Sequence, residues 1–436
     1  MKIVIIGGSF GGVTAARAAR QKYPASQVTL IEKNTQIGFI PGALHLVLNG
    51  EVEELSQAVF VTEEVLRAEG IELLLACEVT AINLEGQEVS YDTEATNQKK
   101  SYDKLILSTG SVQDSSQIKG IQSERILKYK TRELAEKALD LVKASQSLAI
   151  VGAGQIGIEM ADCLIKNGKE VTLIESMDGI LSKYFDAEMM APVLTTMRER
   201  GVTCHFNETV EEISEEDGQL HLRTQEGQII SDSGVFALSV KPELAYLAEG
   251  IQLHQDNTIL VDDYLQTTVA NVFAIGDCIQ MPSSLAAESF YLSLTNNAIR
   301  TALVAVDNLI KPTTKFIGSA RTIGTKVFDH YIGSTGMTES ESIFFDDEIA
   351  VSYVSQPATL FNSELVHSKL IYSQQTGRVL GGQIVAKVNV LEKVNTLALG
   401  IQMGITLEQL RQKDYFFHPS LTPVYDLTNQ LGYLKD

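Results

Sequence analysis

Lys2-Ile-Val-Ile-Ile6 runs straight into Gly7-Gly-Ser-Phe-Gly-Gly12, and this junction is the most informative stretch of the chain. Four consecutive apolar residues are the mark of a strand covered on both faces of a parallel sheet. The glycines close a tight turn, and Val13 to Arg20 continues with helical character. Gly7 permits the turn, the small Ser9 stands where backbone must approach a pyrophosphate, and Gly12 lets the helix pack closely on the strand. The phosphates then meet the amides of a helix N-terminus. A second strand, Gln27-Val-Thr-Leu-Ile31, ends in Glu32, 20 residues beyond Gly12 and placed to bind a ribose diol.

The same device recurs about 145 residues later as Ser147-Leu-Ala-Ile-Val151, Gly152-Ala-Gly-Gln-Ile-Gly157, a helix to about Lys166, and Glu170-Val-Thr-Leu-Ile174 ending in Glu175. Two such units in one chain can hold two adenine dinucleotides, as electron transfer from one bound cofactor to another requires. Glu175 repels a 2′-phosphate and Ser176-Met-Asp178 offers no arginine to bind one, so NAD is favoured over NADP.

Further landmarks follow the same logic. Tyr102 to Gly110 reads as an apolar strand ending in the small residues Ser108, Thr109 and Gly110, where the chain crosses between domains. Asn271-Val-Phe-Ala-Ile-Gly-Asp277 is another buried strand ending in an acid. Asp277 is either a helix N-cap or the carboxylate that binds a flavin's ribityl hydroxyls. Beyond residue 310 the pattern turns β-rich, with strands expected at Lys326 to Ile332, Ile349 to Tyr353, Ser368 to Tyr372 and Val379 to Val385. A helix from Leu391 to Gly400 and an aromatic-rich tail follow, giving a separate α+β domain.

Composition narrows the function. The 436 residues suffice for two or three domains, and 44% apolar against 21% charged residues describes a chain folded throughout. A net charge of −20 argues against nucleic acid or an anionic membrane surface as partner. No uninterrupted apolar run reaches the length of about 18 residues that a membrane span needs. Cys77, Cys163, Cys204 and Cys278 show neither disulfide nor metal-ligand spacing, so no metal site is expected and a reducing cytoplasm is the expected location.

Together these residues resemble the pyridine nucleotide-disulfide oxidoreductase family, in its NADH oxidase, NADH peroxidase and coenzyme A-disulfide reductase branch. Gly333-Ser-Thr-Gly-Met-Thr-Glu339 and Tyr415-Phe-Phe-His-Pro419 extend the likeness into that branch's dimerisation domain. The resemblance implies an α/β protein with two three-layer Rossmann-like domains and a C-terminal α+β dimerisation domain. FAD would be bound by residues 1–110 and 233–310, NAD(H) by 111–232, and 311–436 would form a homodimer. By the same resemblance FAD is held by Gly7, Ser9, Phe10, Gly11, Gly12, Glu32, Lys33, Val79, Ser108, Thr109, Gly110, Gly276, Asp277, Leu294 and Thr295. NADH is faced by Gly152, Gly154, Gln155, Ile156, Gly157, Glu175 and Glu159. A helix from Asn296 to Val306 would point its positive end at the flavin.

Three positions depart from the branch. Aligning Phe39 of Gly38-Phe-Ile-Pro-Gly-Ala43 with the family phenylalanine puts Gly42 where relatives carry a redox cysteine. Phe10 replaces the histidine that helps that sulfur, and Gln155 replaces a tyrosine that covers the flavin until nicotinamide displaces it. Glycine forms neither thiolate nor sulfenic acid. Cys278 is the one cysteine placed in sequence to substitute, and it reads more readily as a small buried apolar residue. His45, one helical turn beyond Gly42, and His418, in the tail that reaches the partner's flavin in relatives, are the remaining candidates to line the site beside Glu159. The expectation is an FAD enzyme passing electrons from NADH to a small-molecule acceptor, dioxygen first, with hydrogen peroxide as product. Alternatives are a reductase of a quinone or electron-transfer protein, and an idle flavoprotein that only binds FAD or NADH.

Overall fold

The computed structural model describes residues 1–93, 96–113, 118–238, 240–286, 288–344 and 348–433. Its first sheet is wholly parallel, in the order Val272–Ala274, Lys104–Leu107, Lys2–Ile6, Gln27–Ile31, Ile71–Leu74. Ile3, Val4 and Ile5 are buried, which explains the unbroken apolar run: helices Phe10–Lys22 and Thr295–Asn308 pack together beside this sheet. A three-stranded antiparallel sheet adds Ile82, Val89 and Tyr91 to the same core.

The second unit repeats the plan. Its parallel sheet runs Thr203–Phe206, Glu170–Glu175, Ser147–Val151, Ser233–Phe236, Ile126–Leu127, and a second antiparallel sheet supplies Val210, Ile213, Leu220 and Leu222. Each unit is thus helix layer, parallel sheet and antiparallel sheet. One boundary needs correction. Residue 233 was expected to open the return to the first unit, but Ser233–Phe236 pairs in parallel with Ser147–Val151 and belongs to the second sheet. The chain crosses between units on an antiparallel pair, Ser111–Gln113 with Val240–Pro242.

The third unit is a five-stranded antiparallel sheet, in the order Ile323–Val327, His330–Gly336, Val379–Ala386, Asn362–Ser373, Ile349–Thr359, with helices Glu392–Gln402, Leu407–Arg411 and Leu427–Leu431. Lys326 to Ile332, expected as one strand, is the tip of a hairpin. Phe328 (φ 48°) and Asp329 (φ 62°) take the paired left-handed conformation of a two-residue turn. Neither residue is a usual choice there, and burial of the Phe328 ring holds the turn. This hairpin shares a core with the second unit: Val327, Phe328 and Ile332 meet Ile158 of helix Gln155–Lys166, and Leu44 joins them. No helix among the described residues is long and apolar enough to cross a membrane.

Candidate active site

Both glycine turns are built alike. A methyl on Gly12 would lie 1.8 Å from the Gly7 carbonyl oxygen, and one on Gly157 would lie 1.9 Å from that of Gly152, so both helices start in contact with their strands. The acid at the end of the next strand closes each turn. Glu32 accepts a 2.6 Å hydrogen bond from the Gly8 amide, and Glu175 accepts one of 2.6 Å from Ala153. Glu32 also receives the Asn34 amide at 2.8 Å, and Glu175 the Met177 amide at 2.8 Å. Their remaining lone pairs stay available to a ribose.

The helix ends themselves discriminate. Phe10–Lys22, Gln155–Lys166 and Thr295–Asn308 have no acidic residue in the first turn and no side-chain cap. Helix Arg132–Ala144, by contrast, is capped by Thr131 and carries Glu133, as an ordinary surface helix does. Ser9 is exposed at the first N-terminus, and nothing lies within 4 Å of the position a Cβ would take on Gly154. Uncapped amides beneath open space suit phosphate groups.

The first turn, the crossing and the third helix converge. A methyl on Gly7 would strike the Ser108 carbonyl, one on Gly11 would meet the Ser108 hydroxyl, and Gly276 packs on Ala298 of helix Thr295–Asn308. Thr109 hydrogen-bonds the buried Tyr246 hydroxyl at 2.7 Å, beside Gly110. Asp277 caps no helix: it sits inside the short turn Gly276–Cys278 and accepts hydroxyl hydrogen bonds from Ser111 (2.8 Å) and Ser293 (2.5 Å). Lys130 donates to the Ser111 hydroxyl at 3.0 Å and to its carbonyl. Lys130 is exposed as a residue, yet desolvation lowers its ammonium pKa against the pull of Asp277. Ser111, Ser293 and Lys130 were not among the sequence candidates. They are single polar residues on three separate segments, and no local pattern marks them.

Around the family's cysteine position, Gly42 has φ +86° and nothing within 4 Å of a Cβ. His45 is brought to it: its Nδ1 lies 2.6 Å from the Gly42 carbonyl oxygen. Phe10 stacks on Phe60 with ring centroids 4.2 Å apart, and the Phe60 amide bonds the Gly38 carbonyl, tying this loop to the first helix. No cysteine among the described residues is paired. Cys278 is fully buried, donates to the Leu107 and Ile275 carbonyls, and is pushed up to about 12 by burial. Burial likewise raises Cys163 to about 12 and lifts Cys77 and Cys204 above the ordinary thiol range.

At the second turn, Gln155 donates to Glu159 at 3.0 Å, and Thr325, from the hairpin of the third unit, donates to the same carboxylate at 2.6 Å. Ile156 is exposed beside them. Leu294 is the residue before helix Thr295–Asn308, while Val79 lies half-buried in strand Glu78–Asn83. Lys33 pairs with Glu243 at 3.2 Å. His418 stands apart from all of these, on the exposed tail, where its ring accepts the Ser420 amide and its own amide donates to Thr422. The donor set and the open turns fit two dinucleotides.

Comparison with known proteins agrees. Residues 1–307 match the family described as pyridine nucleotide-disulphide oxidoreductase, and residues 322–427 match its dimerisation domain. An NADH oxidase of Enterococcus faecalis (strain ATCC 700802 / V583) is 28% identical over 445 residues, covering 99% of this chain and 98% of that protein. The crystal structure of a pyridine nucleotide-disulfide family oxidoreductase from Enterococcus faecalis V583 is 48% identical, with a TM-score of 0.91 over 99% of this chain and 98% of the other. A water-forming NADH oxidase from Lactobacillus brevis bound to NADH is 27% identical, with a TM-score of 0.94 over 99% and 97%. The chain therefore belongs to the pyridine nucleotide-disulphide oxidoreductase family and is an FAD-dependent NAD(P)H oxidoreductase.

Proposed function

We propose that this enzyme oxidises NADH with dioxygen and releases hydrogen peroxide without any thiol step. The observation that carries the reading is Gly42. At the position aligned with the branch's redox cysteine there is no sulfur, and the four cysteines elsewhere are held protonated by burial. The residues that would hold FAD leave the redox chemistry to it: bound FAD would supply hydride acceptance from NADH and two-electron transfer to the acceptor. The balance is NADH, a proton and dioxygen giving NAD⁺ and hydrogen peroxide. A water-forming route needs two further electrons delivered to the peroxide, the task of a thiolate that is oxidised to a sulfenic acid and then reduced again by a second NADH.

The chain's own residues supply binding and electrostatics. The turn at Gly7 to Gly12 and Glu32 hold the adenosine half of FAD, and Asp277, oriented by Ser111 and Ser293, receives the ribityl chain. The uncapped N-terminus of helix Thr295–Asn308 and the Lys130 ammonium favour negative charge on the flavin ring. The second turn and Glu175 hold NADH, and the Glu175 carboxylate disfavours a 2′-phosphate. Two copies pair through the dimerisation domain, whose tail exposes Phe416, Phe417 and Tyr425 as apolar surface for a second chain. That pairing would place His418 of the partner subunit at the flavin. Four unpaired thiols suit a reducing cytoplasm.

Anaerobic NADH should bleach the bound flavin, and aerobic turnover should consume one dioxygen per NADH, with catalase returning half the oxygen. Two NADH per dioxygen would overturn the peroxide assignment. Fast turnover with a quinone or protein acceptor beside slow turnover with oxygen would move the acceptor to that class. Flavin left oxidised at saturating NADH would leave only a binding protein.

A further inference from the structure

Gln155 and Glu159 are one turn apart on the helix that opens at the second glycine turn, so their side chains share a face. Gln155 Nε2 donates to Glu159 Oε1 at 3.0 Å. Thr325 Oγ1 donates to the same oxygen at 2.6 Å, from strand Ile323–Val327 of the third unit. Two donors from two units of the fold therefore pin one carboxylate oxygen. The orientation of the amide follows from chemistry, because an ionised carboxylate only accepts and the glutamine must turn its NH₂ toward it.

The consequence is an edge made of acceptors. Among the described residues, Glu159 Oε2 and Gln155 Oε1 have no hydrogen-bond partner, and both side chains are only half-buried. They stand at the start of the helix, next to Gly154 and the open space above it. A group that answers two adjacent acceptors is a primary amide, which brings an NH₂ with two protons.

We propose that Thr325 is a positioning residue and that Gln155 both fixes Glu159 and offers its Oε1 beside it, so that the pair receives the carboxamide of the nicotinamide ring. This rests on the reading that NADH occupies the second turn. In this chain the position is taken by a side chain already committed to its neighbour, so the docking edge is assembled before the dinucleotide arrives. Pre-organisation of this kind lowers the ordering cost of binding. It also ties nicotinamide recognition to the third unit, since half of the pin comes from the hairpin.

The test is calorimetric titration of the FAD-loaded enzyme with NAD⁺ and, separately, with ADP-ribose, which lacks the nicotinamide. Thr325→Val removes a donor to Glu159, and Gln155→Met removes both a donor to Glu159 and the Oε1 acceptor, each keeping side-chain size. Either should weaken NAD⁺ about tenfold, as loss of one hydrogen bond to a charged group does, and leave ADP-ribose within about twofold. Thr325→Ser keeps the hydroxyl and should keep the NAD⁺ affinity. Parallel weakening of both ligands, or no change in NAD⁺, would overturn the proposal. Failure of the unmodified enzyme to bind ADP-ribose would instead refute the placement of the dinucleotide at the second turn.

Discussion

Replacing every cysteine tests the absence of a thiol step. The perturbation is a quadruple variant: Cys77→Ala, Cys163→Ala and Cys204→Ala, with Cys278→Ser so that a hydroxyl still donates to the Leu107 and Ile275 carbonyls. Cys278 and Cys163 are pushed up to about 12, so at pH 7 each is thiolate in about one molecule in 10⁵. Neither can act as a nucleophile at that population. Removing a group through which a reaction passes costs on the order of 10⁴ or more in kcat. Removing a buried sulfur that only packs costs roughly 1 kcal/mol of stability. The expected result is therefore a variant with a lower melting temperature, the same flavin spectrum and a kcat for NADH oxidation within about twofold of the parent. The decisive measurement is stopped-flow flavin reduction and reoxidation on the parent, the quadruple variant and each single variant. A thousandfold loss traced to one cysteine, with its fold and FAD retained, would refute the reasoning, and Cys278 is the place to look first.

The remaining predictions probe the supports of the site. Gly154→Ala meets open space at an ordinary φ of −71°, so thermal stability should hold or rise by a few tenths of a kcal/mol, while NADH titration shows weaker binding as the methyl fills the phosphate's approach. Lys369 is buried against Asp186 (2.9 Å), Glu188 and Glu339, so Lys369→Met should lower stability by about 3–5 kcal/mol in a denaturant titration; an unchanged midpoint would show these charges to be independently solvated. Burial raises the Asp426 pKa, but Lys393 and Thr428 hydrogen bonds and the Lys393 and Lys413 charges outweigh it and hold the group at about 2. The folded value lies below the unfolded one, so about 2 kcal/mol of stability is present above pH 4 and lost as pH falls toward 2, and Asp426→Asn should flatten that limb of an acid titration. Gly42→Cys should fold, since nothing obstructs a Cβ and the left-handed backbone costs about 1–2 kcal/mol, yet it should show no NADH-dependent peroxide consumption above the parent because Phe10 offers that sulfur no proton.

Sequence legibility followed the range of the interactions. Lys2–Ile6 and Ser147–Val151 were readable because a strand buried on both faces must be apolar throughout, and because Gly12 and Gly157 are forced by contact with the carbonyls of Gly7 and Gly152 in the same turn. Ser233–Phe236 is equally buried, but a short buried run carries no mark of which sheet receives it, and here it pairs in the second unit. The hairpin at Phe328-Asp329 lacks the usual turn residues because packing of the phenylalanine replaces local propensity. The same limit applies to the site. Glu32, Glu175 and Asp277 end or follow strands and announce themselves, whereas Ser111 and Ser293 reach Asp277, Lys130 reaches Ser111, and Thr325 reaches Glu159, only through tertiary crossings.

The three departures from the family's pattern are tied into the fold separately, and this bears on how the site works. Phe10 spends its ring on Phe60, which anchors the loop at Gly38. Gly42 holds a left-handed backbone that a side chain would strain, with its carbonyl engaged by His45. Gln155 is bound to Glu159, which the third unit also grips. Phe10 and Gln155 thus make specific side-chain contacts, and Gly42 adopts a left-handed conformation suited to glycine. On the proposed reading the altered site combines a sulfur-free loop at Gly42 with a carboxylate, Glu159, held by two donors. On that reading, with Gly42 at the cysteine position and the four thiols held protonated by burial, no electron pair is stored on the protein and reduction of the acceptor is completed at the flavin.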